Sequence, residues 1–292
     1  MRRFNELRNL KSEKIAKKFL EQRYVDNGLE IDPVLLDAKA KGLSFCMRNI
    51  FDYFGNEKGT TLSARALTAY YGYFYILGAI MIANVNKQAT LETLESASSL
   101  GHGVKTVEQE GVAFPLNIRT YIIRTGFFAA FADNQDFGPD FQEFMLERGI
   151  RAVTAETDVT RTFSLYELLA RSPECGDVFH QVFNNEELRW RDEGVLYVPG
   201  ARSNYSAIMG DIHQGSRHVY VDELVPGFFS PFVLNFLLLY TIGIIVRYKP
   251  KLWREISEGE LDQFLVMIEN YIVLTPDTAL LHLSSEFGMY IR

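Results

Sequence analysis

The chain has 292 residues, of which 47% are hydrophobic and 13% aromatic, and its formal net charge is -7. This composition supports a large buried core and excludes a disordered chain, and the negative charge excludes attraction of nucleic acid or anionic membranes by bulk charge alone. Cys46 and Cys175 lie far apart in the sequence, which excludes a disulfide framework and argues against a thiolate zinc site.

The N-terminus differs from the rest of the chain in charge. Residues 1–23 hold eight Lys/Arg and three Asp/Glu. Apolar residues recur within this stretch at roughly helical spacing, which predicts a basic amphipathic N-terminal helix. Such a helix either docks on the core by its apolar stripe or contacts nucleic acid or an acidic partner. The first residues lack the apolar run of a secretory signal, so we expect a cytoplasmic location.

A second helix is predicted over residues 32–54. Asp32 can cap it, and Pro33 suits its first helical position. Residues 55–61 then hold two glycines and a lysine, as phosphate-binding loops do. No lysine follows the last of these glycines, so we reject a phosphate loop.

Two segments, 64–84 and 231–247, are apolar on all sides. The first is capped by Ser63 in this interpretation. Both approach the length of a membrane span. Pro231 and Asn235 interrupt the second segment, and the first is rich in tyrosine, whose hydroxyl needs a partner or water. We therefore predict two helices buried at the centre of the core and no membrane contact.

Shorter elements complete the interpretation. A helix capped by Thr90 precedes Gly101-His102-Gly103, and a strand is expected near 119–124. Ser164 and Glu167 have the spacing of a capping box. Further helices are predicted over 137–148, 160–170, about 175–183, 252–256 and 261–274, the last ended by Thr275-Pro276 and followed by a final helix that Asp277 caps.

Residues 194–223 alternate like strands between glycines and serines, which predicts a small β-rich insertion. The whole chain is then one domain over 1–292. Its predicted fold is mainly α with a small β insertion (α+β), with a helical core around the two buried apolar helices.

Three runs of sequence carry a family resemblance. They are ARALTAYYGYFYILGAIM with the later TLETL and GHGVK (within 64–105), FSLYELLARSPE (163–174) and RYKPKLW (247–253). Together they resemble the YaaC-like family. The resemblance implies a cytoplasmic protein. Some relatives are associated with phage-defence or mobile-element genes. It implies no particular reaction.

His102 and Arg247 are the candidate catalytic residues. A histidine between two glycines can be a general base or a phosphate contact, or it can simply bond a nearby carbonyl in a turn. An arginine at a helix end can bind an anion or complement the helix dipole. The same two interpretations, ligand pocket or structural role, apply to the candidate ligand-binding residues Arg65, Tyr70, Tyr71, Lys105 and Tyr248.

The sequence gives little support for a metal site or for a ribonuclease motif. His213 and His218 lie near Asp211 without a third ligand at a metal-binding spacing, so no metal is predicted, and no cofactor is predicted. Helical ribonucleases of the HEPN type carry an arginine several residues before a histidine. None of the five histidines here has an arginine five to seven residues before it.

The expected function is a non-catalytic interaction subunit that contacts a protein partner, a second copy of the chain or nucleic acid. The family resemblance suggests an anti-phage defence system as its setting. Nucleic acid would bind through residues 1–23. The alternative is an enzyme acting on nucleic acid or a nucleotide, HEPN-like or a divergent nuclease, centred on His102 and Arg247. The enzyme would require these two residues, Arg65 and a carboxylate to meet in one open pocket.

Overall fold

The computed structural model describes residues 4–55, 60–151, 153, 161–175, 178–179, 182, 190–191, 195–196 and 230–289. The helices are α1 (Asn5–Asn9), α2 (Glu13–Asp26), α3 (Pro33–Gly55), α4 (Leu62–Ala83), α5 (Leu91–Ser99), α6 (Phe127–Asn134), α7 (Pro139–Phe144), α8 (Leu165–Ala170), α9 (Pro231–Tyr248), α10 (Pro250–Glu258) and α11 (Asp262–Glu286). The strands are β1 (Val104–Glu108), β2 (Ile118–Ile122), β3 (Phe163–Ser164), β4 (Trp190–Arg191) and β5 (Val195–Leu196). The predicted fold class, mainly α with a small β component, is confirmed.

Helices α4 and α9 form the centre of the core, as predicted. Helix α4 packs against α3, α9 and α11, and most of its residues and those of α9 are buried. The side chain of Thr61, rather than the predicted Ser63, accepts a hydrogen bond from the backbone N–H of Ala64 and caps α4. Pro231 opens α9, where a missing N–H costs nothing.

A three-stranded antiparallel sheet with the order β1-β2-β3 lies beside α9. The hydroxyl oxygens of Thr120 in β2 and Thr241 in α9 are 2.6 Å apart, which joins the two elements. The strand predicted near 119–124 corresponds to β2, whereas β1 and β3 were not predicted as strands. Of the predicted insertion 194–223, only Val195 and Leu196 are described, where β5 pairs with β4. Its remaining residues lie outside the described part of the chain.

The N-terminal segment forms two helices rather than one. Leu10 and Lys11 donate to carbonyls three residues back, and Ser12 is extended, so α1 ends before α2 begins. Phe4, Leu7 and Leu10 are buried in the main core. The apolar stripe therefore docks on the protein, as the structural interpretation of this segment predicted.

Two helix ends differ from the predictions. The helix expected over 137–148 is only α7, because Met145 is extended and Leu146 forms a β-bridge with Ile123. Helix α11 does not end at Thr275-Pro276 but continues through it to Glu286. Interior proline costs about 3 kcal/mol. Burial of apolar residues on both sides of Pro276 offsets this cost.

Three helices are long and apolar enough to span a membrane by length and composition, namely α4, α9 and α11. Within the fold, 72%, 67% and 56% of their most apolar windows are buried. This finding contradicts the predictions of no membrane contact and of a cytoplasmic location. The prediction relied on polar side chains such as Asn235. That amide donates to the carbonyl of Pro231 and accepts from the hydroxyl of Tyr271. Polar groups paired within the chain do not exclude a span.

Candidate functional site

The Gly101-His102-Gly103 turn is locked onto the start of α6. The N–H groups of Phe127 and Phe128, which lack partners within their own helix, donate to the carbonyls of Gly101 (2.9 Å) and His102 (3.1 Å). Gly103 has φ +77°, and a Cβ there would lie 2.8 Å from the nitrogen of Phe128. A side chain is excluded at this position by both conformation and space. The turn therefore presents the His102 ring in a fixed place.

The His102 ring is held by two tyrosines. Its Nδ1 lies 2.7 Å from the hydroxyl oxygen of Tyr70, and its centroid lies 5.6 Å from that of Tyr240. Tyr70 is fully buried, and its hydroxyl has no other partner among the described residues. If the hydroxyl accepted from Nδ1–H, its own proton would stay unbonded in the core, which is costly. We therefore assign the hydroxyl as the donor and Nε2 as the protonated ring nitrogen.

The Nε2 side of His102 remains open. No described residue forms a hydrogen bond with Nε2, and His102 is half-buried. The hydroxyl of Tyr240 likewise has no bond to the described chain, and the residue is 7% exposed. The Nε2–H of His102 and the hydroxyl of Tyr240 are thus two neighbouring neutral donors without a partner in the described chain.

Arg247 brings a positive charge to the same place. It lies in the last turn of α9, where its Nε donates to the carbonyl of Gly243 at 3.1 Å. Its guanidinium carbon lies 5.2 Å from the ring centroid of Tyr248, which is 67% exposed. No carboxylate of the described chain pairs with it. We call Tyr70, His102, Tyr240 and Arg247 the His–Arg cluster.

The electrostatics of the His–Arg cluster favour an anion. Burial, and then the positive charge of Arg247, lower the pKa of His102 below its ordinary value of 6.5. The ring is therefore neutral at pH 7 and donates through Nε2–H. With the guanidinium and the Tyr240 hydroxyl, the cluster offers donors and one full positive charge. That combination suits a phosphate or another oxyanion.

Of the remaining site residues predicted from the sequence, some lie next to the His–Arg cluster and others lie elsewhere. Tyr71 stands next to the cluster, with its ring centroid 5.3 Å from that of Tyr70. Arg65 lines a separate small cleft with Tyr53, and its buried Nε has no hydrogen-bond partner. Lys105, in β1, directs its amine towards Gly149. His102, Arg247, Tyr70, Tyr71 and Tyr248 are thus brought together, whereas Arg65 and Lys105 are not part of the cluster.

Sequence reasoning missed Tyr240. It precedes Arg247 by seven residues, which is two helical turns, so the two side chains share a face of α9. That spacing could have identified it once Arg247 was chosen. Its proximity to His102, by contrast, depends on how α9 packs on α4.

No metal site appears in the part of the chain that the structure describes, where no three His, Cys, Asp or Glu side chains gather. Asp211, His213 and His218 lie outside that part. The prediction that the protein holds no metal therefore stays a prediction.

The basic N-terminal residues are partly engaged within the protein. Lys17 pairs with Asp37 at 2.5 Å, and Lys11 lies 3.6 Å from Asp52. Arg23 donates to the backbone carbonyl of Glu286. These contacts reduce the charge that residues 1–23 can offer to nucleic acid, which weakens that predicted interface relative to the cluster.

Comparison with protein families gives one finding. The family model described as YaaC-like Protein matches residues 8–209 and 201–287, which include the whole His–Arg cluster. Neither a curated protein nor a solved structure matches the chain.

Proposed function

The chain belongs to the family of YaaC-like proteins, and from this premise we propose that it is a non-catalytic interaction subunit that binds an anionic group of its partner at the His–Arg cluster. The observation that carries the proposal is the state of Arg247. Its guanidinium pairs with no carboxylate of the described chain, and its charge acts on the ring of His102, whose Nε2 bonds to no described residue. Charged donors with an unfilled acceptor position are what an anion-binding site requires.

The competing function is an enzyme that acts on nucleic acid or a nucleotide. A general base must accept a proton from its substrate. In the cluster, Nδ1 of His102 is occupied by the hydroxyl of Tyr70, and in the tautomer assigned above Nε2 carries the proton. Arg65 lies in a different cleft, and no described carboxylate orients the imidazole. These features favour binding over catalysis.

The family resemblance suggests where such a subunit would operate. Relatives associated with phage-defence genes motivate a role in an anti-phage system, in which one subunit recognises and another acts. This placement stays a prediction. It is tested by challenging cells with phage while they carry either the wild-type chain or Arg247→Gln within its native gene neighbourhood. Protection by the wild-type chain no greater than that of cells without the gene would contradict it.

The anion site is tested by titrating the full chain with pyrophosphate in a calorimeter. Arg247→Gln removes the charge and should weaken binding about 10- to 100-fold, since hydrogen bonds to charged groups contribute about 1.5–3 kcal/mol. Arg247→Lys should retain part of the affinity. The matched control is Arg254→Gln, an exposed arginine of α10 that pairs with Glu258, and it should bind as wild type.

Two outcomes would contradict the proposal. One is equal affinity of Arg247→Gln and wild type for pyrophosphate. The other is turnover of RNA or nucleotides that disappears in His102→Ala while the melting temperature stays near that of wild type, because that result would identify His102 as a catalytic base.

A further inference from the structure

A continuous run of aromatic rings leads away from the His–Arg cluster. Tyr71 contacts Tyr70 of the cluster, with ring centroids 5.3 Å apart. Tyr53, from α3, stacks on both Tyr71 (5.8 Å, 27° between the planes) and Tyr75 (5.9 Å, 17°). Phe45 then meets Tyr75 edge-on at 5.8 Å. We call Tyr71, Tyr53, Tyr75 and Phe45 the aromatic strip.

The aromatic strip is at the surface rather than in the core. Phe45 is 40% exposed, and the three tyrosines are half-buried. Their hydroxyls form no hydrogen bond to any described residue, so each remains available. Four clustered rings on two adjacent helices form a contiguous apolar surface, which on soluble domains commonly marks an interaction site.

Arginines border the aromatic strip. Arg65 lines a small cleft together with Tyr53. Arg48 lies one helical turn after Phe45 and donates only to the hydroxyl of Ser44. Neither guanidinium pairs with a carboxylate of the described residues. With Arg247 at the cluster end, unpaired positive charge flanks the rings in a chain whose net charge is -7.

We propose that the aromatic strip and the His–Arg cluster together bind single-stranded nucleic acid, with bases stacked on the tyrosines and a backbone phosphate on Arg247 and His102. The inference rests on the proposed function and names its partner class. Flat aromatic rings beside arginines accept unpaired bases of any sequence, because every base has a π face. A duplex hides those faces, so single strands are favoured.

The test uses the full chain and fluorescence anisotropy with labelled oligonucleotides of about 12 nucleotides, a length within the range of known single-strand sites. Oligo-dT and oligo-U form the two arms that separate DNA from RNA. Tyr53→Leu and Tyr71→Leu keep an apolar side chain but remove the ring. Each should weaken binding about 5- to 100-fold, as expected for loss of one stacked base.

Two further variants complete the experiment. Tyr166→Leu, in α8, removes a half-buried tyrosine that contacts Phe179 and no ring of the strip, and it should bind as wild type. Arg247→Gln should weaken binding and reduce the slope of log affinity against log salt by about 0.7, the value for one phosphate contact on a single strand.

The inference is overturned if the two strip variants bind oligonucleotides as tightly as wild type, or if a duplex of the same length binds equally well. Binding to anionic lipid vesicles without binding to either oligonucleotide would also overturn it and assign the surface to a membrane. If pyrophosphate affinity still depends on Arg247 in these cases, the proposed function stands. If Arg247→Gln changes neither ligand's affinity, the proposed function itself fails.

Discussion

Tyr70 determines which nitrogen of His102 faces outward, although its own hydroxyl is buried. By donating to Nδ1 it leaves the proton on Nε2, so the histidine acts as a donor at neutral pH. Arg247 reinforces this state because its charge disfavours a second positive charge on the ring. An anion bound between them would reverse that effect, since it stabilises the imidazolium.

This reversal predicts a pH dependence of anion binding. The pKa of His102 lies below 6.5 in the free protein, and a bound anion raises it. Affinity for sulfate, which does not titrate in this range, should therefore increase as the pH falls below about 6.5. The gain should be about fivefold, the difference between a hydrogen bond from a neutral donor and one from a charged donor.

Calorimetric titrations with sulfate at several pH values check this prediction. His102→Phe keeps a ring in place and should show a flat profile. The free energy of unfolding of the protein without sulfate should decrease as the pH falls. A histidine whose pKa is lowered in the folded state makes the fold less stable as the pH falls through that pKa. A sulfate affinity that is independent of pH in the wild type would contradict the assignment.

At the scale of elements, helix α11 shows how burial overrides a local signal. Proline usually marks a helix end, and the sequence predicted one at Thr275-Pro276. The structure continues the helix, so Pro276 occupies an interior position. Pro276→Ala should then raise the free energy of unfolding by about 2–2.6 kcal/mol, the interior cost of proline less the entropy that it removes from the unfolded chain.

Urea denaturation of Pro276→Ala and wild type measures the difference. The sign of the change in the free energy of unfolding decides between a helix that continues through Pro276 and one that ends before it. If the helix ended before Pro276, alanine would only make the unfolded chain more flexible and would lower stability by about 0.4–1 kcal/mol. A decrease would therefore contradict a continuous α11.

Local signals predicted the elements that rest on local interactions. The capping box of Ser164 and Glu167 and the apolar composition of α4 and α9 are visible in the sequence, and the structure has both. The pairing of β1 with β2 and the meeting of Arg247 with His102 depend on packing between distant segments. No periodicity encodes such contacts, so the site residues could be named individually but not joined into one cluster.

At the scale of the molecule, the three described helices that are long and apolar enough to span a membrane also pack together, since α4 lies against both α9 and α11. In the sequence, the polar residues within the apolar helices count as evidence against a membrane span. In the fold those residues bond within the chain, as Thr241 does to the carbonyl of Leu237. Internal pairing makes a polar residue a poor indicator of which solvent surrounds a helix.

The most direct test of the anion-binding site is a crystal structure of the full chain grown with pyrophosphate. We expect one phosphate group within about 2.7–3.2 Å of both the Arg247 guanidinium and Nε2 of His102, the range of ordinary hydrogen bonds. A carboxylate of the chain itself paired with Arg247, or pyrophosphate bound only at another site, would contradict the proposed function.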